Sequence, residues 1–324
     1  MSVEPFEAVD AARGAGGPGA PSVAGAESIL EKIAARTRER VEDEKRVRPL
    51  AEVRRAAEER STAERAAEGR PTAERAAAAT SGSASSAPDA LAAARGRAPD
   101  ALPFERALAR PGISFICEVK RASPSKGLIA PDFPYVDIAR DYEAAGAAAV
   151  SCLTEPFWFQ GRDEYLVEIA RAVDIPVLRK DFVVDEYMVY GAKALGAQAV
   201  LLICSILDDG ELAAYRALCD ELRLSALVEA HTEREVERAL AAGARVVGVN
   251  NRDLATFEVD LGTSRRLRAL AGPEALFVAE SGIRTRADVA RLREDGVDAV
   301  LVGEALMRAA DKRAALDELR GEGS

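Results

Sequence analysis

Four segments of this 324-residue chain repeat one event, in which a helix closes on a glycine and the chain passes directly into an apolar strand. "AGAAAVSCLT", "LGAQAVLLIC", "AGARVVGVNN" and "DGVDAVLVGE" carry it at Gly146, Gly196, Gly243 and Gly296, which are 50, 47 and 53 residues apart. Each interval holds two strand–helix units, so a unit of about 25 residues recurs over roughly the last 210, the size of an eightfold βα barrel. Eight short β-branched or aliphatic runs agree, at 113–119, 148–153, 176–179, 199–204, 225–229, 245–249, 276–279 and 298–302. An amphipathic segment follows each, which predicts a parallel sheet wound with helices. An open doubly wound sheet is the alternative, but no G-x-G-x-x-G follows the first strand.

In a (β/α)8 barrel the site lies at the C-terminal ends of the strands. Those ends are charged here. The first carries Glu118 and Lys120, the third Lys180 and the fifth Glu229; the sixth ends at Asn250, Asn251 and Arg252, the seventh at Glu280 and Ser281, and the eighth at Gly303. The opposite ends offer mainly Gly, Ala, Pro and Asp. Any one of these charges can be a solvated strand terminus or half of a structural ion pair. Three carboxylates and two lysines converging on one opening are costly unless paired, and such crowding drives pKa values apart. Glu118 and Lys120, two residues apart, point to the same face of their strand and are expected to face the barrel mouth together. A second clue is Gly282 in "ESGIRT" and Gly303 in "LVGEAL", each at a strand end just before a helix, on the two strands where barrels commonly hold a phosphate.

Composition narrows the chemistry. A net charge of -10 argues against a phosphate-backbone binder, so no nucleic-acid partner is expected, and a small anion would need a local basic pocket. No apolar run approaches a membrane span, which makes the cytoplasm the expected location. Cys117, Cys152, Cys204 and Cys219 stand singly, mostly in apolar runs, and read as core residues with neither metal-ligand spacing nor a disulfide framework. His231 is the one histidine, so acid–base work is expected to fall on carboxylates and lysines; His231 itself reads as a helix-entry or structural residue.

Residues 1–27 are Gly/Ala/Pro-rich without periodicity and predict a disordered tail. Residues 28–110 form an N-terminal helical extension. It opens with "SILEKIAARTRERVEDEK", an amphipathic helix capped by Ser28 with Glu31 three residues on, docked on something larger. Within it, about 58–100 holds the near-repeat "TAERAAEGR" and "TAERAAAAT" and then "SGSASSAP", which offers little apolar surface and reads as a solvated helix or a disordered, low-complexity insert. Residues 111–324 are the barrel.

The motifs "EVKRASPSKG", "LTEPFWFQG", "VLRKDFVVDEY", "LVEAHTERE", "GVNNRDL", "VAESGI" and "LVGEALM" together resemble those of the indole-3-glycerol phosphate synthase family of tryptophan biosynthesis, over about residues 28–50 and 103–318. The resemblance implies a TIM-barrel lyase that closes the indole ring of 1-(2-carboxyphenylamino)-1-deoxyribulose 5-phosphate with loss of carbon dioxide and water, using neither metal nor organic cofactor. It implies that Lys180 protonates the ribulose carbonyl, that Glu229 serves the dehydration, and that Lys120 holds the anthranilate carboxylate and assists proton transfer. Glu118 and Asn250 would orient these groups, and Ser123, Glu280 and Ser281 would complete the polar wall. Gly282 and Gly303 would receive the phosphate, and Phe159 and Arg252 would line the anthranilate end. Glu304, directly after Gly303, is counted with the site but is expected to turn its charge away from the anion. The "SPSKG" loop reads as a lid. A neighbouring ammonium and burial would lower the Lys180 pKa, and Glu118 would hold it up. Two other readings stand beside this one: an aldolase using Lys180 as a Schiff-base nucleophile, and a catalytically silent barrel whose N-terminal region binds a protein. Association with other enzymes of the pathway is not indicated.

Overall fold

The computed structural model describes residues 28–68, 101–253 and 256–321. Eight parallel strands close into a barrel: β1 (Ser114–Val119), β2 (Ala149–Leu153), β3 (Val177–Lys180), β4 (Ala199–Ile203), β5 (Ser225–Ala230), β6 (Val246–Asn250), β7 (Leu276–Glu280) and β8 (Ala299–Val302). Each strand pairs with its neighbours in sequence, and Ser114 opposite Ala299 joins β1 to β8 and closes the ring. All eight predicted runs are strands.

Alternation along the strands sorts the side chains into two cores. Ile116, Leu178, Leu201, Leu227, Val246, Leu276, Val278 and Leu301 point inward and fill the lower barrel. Cys117, Val150, Val200, Val228, Val247, Phe277 and Val300 point outward beneath the helices, where Cys152, Cys204 and Cys219 also lie. Because the period is two, the inward register that begins at Ile116 continues to Glu118. The same step takes Leu178 to Lys180, Leu227 to Glu229 and Val278 to Glu280. The strands are therefore apolar at one end and charged at the other.

The apolar end is stoppered. Three helices precede the barrel in the described chain: α1 (Ile29–Val47), α2 (Leu50–Glu68) and the short α3 (Pro103–Leu108). Phe104 and Leu108 of α3 are fully buried in the lower core. Glu105, also buried, accepts from Ser225 Oγ at 3.2 Å and from Arg245 Nη2 at 2.9 Å. That polar pairing at the bottom of the barrel has no counterpart in the sequence reading, which saw only connector residues there.

The helix from Ser28 forms as expected, with the Ser28 and Glu31 capping box in place. Its buried residues Leu30, Ile33, Ala34, Thr37 and Val41 mark one face, which lies over the barrel mouth. Of the residues from about 58 onward, those described close α2 as a helix exposed at most positions, with Ser61 buried. Val53, Ala57 and Ser61 recur every fourth position on α2 and are buried against α4 (Glu186–Leu195). Ser61 Oγ donates to the Leu222 carbonyl at 3.3 Å, and the Lys193 ammonium pairs with Glu64. Small side chains let two helices approach closely, so an alanine-rich face packs with little apolar area. The tail at 1–27 and the rest of the insert lie outside the described residues. No described helix is long and apolar enough to cross a membrane.

Candidate active site

A cavity of about 380 Å³ opens at the C-terminal end of the barrel. All thirteen residues selected from the sequence line it: Glu118, Lys120, Ser123, Phe159, Lys180, Glu229, Asn250, Arg252, Glu280, Ser281, Gly282, Gly303 and Glu304. They come from seven of the eight strand ends and the loops after them, so only closure of the ring brings them together.

The floor is a charge cluster. Lys120 Nζ donates to Glu118 Oε1, and Lys180 Nζ donates to Glu280 Oε2 at 2.9 Å, with Glu118 Oε2 3.9 Å from the same ammonium. Glu118, Glu229 and Glu280 are all buried. Two cations among three acids leave the cluster one negative charge in excess if every group ionises, and the proton affinities follow from that. Burial acts to lower the Lys180 pKa, but Glu280, Glu118 and Glu229 outweigh it and hold the value above that of a free lysine. Burial raises Glu280 to about 7, with the charges of Glu229 and Glu118 adding to the effect against the pull of Lys180. Glu118 goes the other way: burial would raise it, yet Lys120 and Lys180 together take it below the usual value. Of the opposing influences on Lys180 expected from sequence, the surrounding acids therefore win.

Two glycines exist to make room for this cluster. A Cβ on Gly303 would collide with Glu118 Oε1 and stand 3.2 Å from Lys120 Nζ, and one on Gly248 would collide with Glu280 Oε1. Gly303 was singled out as an anion cradle; its lack of a side chain is also what allows the Glu118 and Lys120 pair to fit. Ser281 and Gly282 both have left-handed backbones, φ 65° and 82°. Only glycine adopts this without strain, and for Ser281 it costs about 1–3 kcal/mol, a feature typical of functional loops.

Around the rim, Phe159 packs on Phe182 with ring centroids 5.9 Å apart, and Asn250 Oδ1 accepts from the Arg252 backbone at 3.1 Å. Glu304 reaches Arg308 at 3.2 Å and Lys126 of the "SPSKG" loop at 3.9 Å. Both partners lie at the mouth, so its charge is turned to the rim. His231 enters helix α6 (Glu233–Ala241; α5, Asp209–Glu221, precedes it) and its backbone donates to Glu235 at 2.6 Å. Its ring also continues the inward register from Glu229: Nε2 is buried, has no hydrogen-bond partner, and stands 3.7 Å from Glu229 Oε1.

The sequence reading missed the roof and the supports. Ile29, Leu30 and Ile33 of α1 line the cavity, as do Asp181 and Phe182 beside Lys180. Glu155, fully buried, accepts from the backbone N–H groups of Phe157, Trp158 and Phe159 at 2.7–2.9 Å and so shapes the turn that carries Phe159. The signal for Asp181 was present in "VLRKDF", but strand alternation assigns it to the outer face. Among the described residues no group of three or more His, Cys, Asp or Glu side chains is arranged to hold a metal ion.

A model of the family described as indole-3-glycerol phosphate synthase matches residues 72–319. The chain belongs to the indole-3-glycerol phosphate synthase family. The indole-3-glycerol phosphate synthase of Lachnoclostridium phytofermentans is 47% identical over 292 residues, 90% of this chain and 98% of that one. That of Ruminiclostridium cellulolyticum is 56% identical over 218 residues, 67% of this chain and 84% of that one. Among solved structures, 3-hexulose-6-phosphate synthase superposes with a TM-score of 0.52 at 17% identity, covering 65% of this chain and all of that one, a likeness of fold alone. The chain is thus a TIM-barrel carboxy-lyase of tryptophan biosynthesis, as the family implies.

Proposed function

We propose that this cavity closes the indole ring of 1-(2-carboxyphenylamino)-1-deoxyribulose 5-phosphate through the two lysines and the acids on its floor. The observation that carries the assignment is the Lys180 ammonium set among Glu118, Glu229 and Glu280 in one cavity. A lysine so placed is protonated at neutral pH and has a proton to give.

The ring carbon that bears the carboxylate attacks the ribulose ketone, and a carbon–carbon bond forms as Lys180 delivers its proton to the carbonyl oxygen. The carboxylate then leaves as carbon dioxide, its bonding electrons restoring the aromatic ring. Lys120, paired to Glu118, offers its charge to that carboxylate before it leaves. In the last stage the new hydroxyl departs as water with a proton from an acid, and the adjacent carbon gives up its own proton to a base. Glu229, which lines the same cavity, serves this exchange. One proton from solvent restores the resting enzyme. Phe159 and the apolar residues of α1 flank the aromatic end and exclude water, which strengthens each charge interaction. The amides near Gly282 and Gly303 take the phosphate.

The raised proton affinity of Lys180 also weighs against the Schiff-base reading, which needs a neutral amine. We place the enzyme in the cytoplasm, in keeping with four free, buried cysteines. Purified protein given the substrate should release the fluorescence of indole-3-glycerol phosphate. No indole fluorescence, combined with covalent trapping of Lys180 by borohydride and a keto-sugar phosphate, would replace this reading with the aldolase.

A further inference from the structure

Both chain neighbours of Lys180 are held in a buried polar network at the end of β3. Arg179 is buried and donates from Nε to Thr154 Oγ1 at 3.1 Å, from Nη1 to the Met188 carbonyl at 3.2 Å and from Nη2 to Asp163 at 2.9 Å. Asp181, whose side chain has no exposed surface, accepts from Thr154 Oγ1 at 2.8 Å and from the Phe182 backbone at 2.8 Å. Arg179 Nη2 also stands 3.6 Å from its Oδ2, and a second guanidinium comes from far away in sequence. Nη2 of Arg40, on α1, spans both carboxylate oxygens at 3.0 Å each.

The same helix grips the neighbouring strand end. The Arg36 guanidinium lies 4.5 Å from the centre of the Phe157 ring, on the turn wound around Glu155 that carries Phe159. One turn before Arg36, Ile33 forms part of the cavity wall. A buried ion pair returns little net stability after desolvation, and α1 already has an apolar face with which to dock. What the Arg40 and Asp181 pair adds is direction: it ties the end of β3, which Arg179 and Thr154 hold from within the barrel, to α1.

We propose that Arg40 is a positioning residue for the reaction, holding Asp181 so that the end of β3 presents the Lys180 ammonium to the substrate carbonyl. This rests on the reading of Lys180 as the general acid. It makes α1 a working part of the catalytic apparatus as well as a roof.

The test is steady-state kinetics of Arg40→Met, Arg40→Ala, Asp181→Asn and Lys180→Met, each checked for folding by circular dichroism. Arg40→Met should lower kcat by about 10–100-fold, the cost of a misplacement near 1 Å, while KM changes little. Guanidinium ion should restore part of the turnover of Arg40→Ala and none of that of Asp181→Asn. Should Arg40→Met fail to fold, Asp181→Asn, which keeps the side-chain size, carries the same expectation. A normal kcat in a folded Arg40→Met, or a defect confined to KM, overturns the proposal. If Lys180→Met is inactive in the same series, only the role of Arg40 falls; if Lys180→Met turns over normally, the acid role of Lys180 falls and this proposal with it.

Discussion

Lys180 Nζ donates to Glu280 Oε2 at 2.9 Å while Glu118 Oε2 stands 3.9 Å from the same nitrogen, so one ammonium is shared between acids on β7 and β1, the two strands that flank β8. Glu118 is in turn paired with Lys120, and Glu280 Oε1 is buried with no partner. A buried oxygen without a partner is costly to keep.

Removing the acid should stop the first step. Lys180→Met and, separately, Glu229→Gln are expected to lower kcat by about 10²–10⁴-fold, the usual share of a general acid or base. Indole fluorescence reads the rate. Unimpaired turnover in either variant ends the role given to that residue.

The Glu280 carboxyl gives a pH signature in stability. Its pKa is raised from 4.5 to about 7, so between these values the folded protein holds a proton that the unfolded chain has released. Stability from this group is fully present below pH 4.5 and is lost as pH rises through about 7. Glu118, with a lowered pKa, runs in the opposite sense and contributes above its usual value. Comparing wild type with Glu280→Gln leaves Glu118 in both proteins and isolates Glu280. Urea denaturation across this window should show the variant gaining on the wild type as pH rises. A pH-independent gap would sink the assignment.

Gly303→Ala places a methyl group against Glu118 Oε1 and near Lys120. Overpacking should cost about 1–3 kcal/mol of stability. Displacing the pair should lower kcat/KM by about 10–100-fold, more than the folding defect explains. Denaturation midpoints and kinetics on one preparation separate the two effects, and wild-type kinetics would show that the glycine makes no room the chemistry needs.

Ala57→Leu tests whether α2 is docked. Ala57 has no exposed surface on the helix face that meets α4. The larger side chain should destabilise the protein by about 1–3 kcal/mol with kcat unchanged, since α2 lies away from the cavity. A stability equal to wild type would mean that this helix face is free.

The legible part of the site was the part that follows from a period of two. Once Ile116, Leu178, Leu227 and Val278 are assigned inward, Glu118, Lys180, Glu229 and Glu280 must follow, and the family motifs name the same residues. His231, two residues past Glu229, keeps the same alternation although it stands at a helix entry, and its ring comes to 3.7 Å from Glu229. Glu155 was missed although its partners are local, but Arg40 and Glu105 make contacts whose partners are remote in sequence. Arg40 meets Asp181 across 141 positions, and Glu105 meets Arg245 across 140.

Local pattern alone determined the number of strands, the face each side chain takes and the end at which charge gathers, because these depend on backbone geometry that repeats over a few residues. Only the closed ring decided which charges touch and which way each proton affinity moves. Such energies depend on distance and on exclusion of water, and neither exists until the helices have covered the barrel.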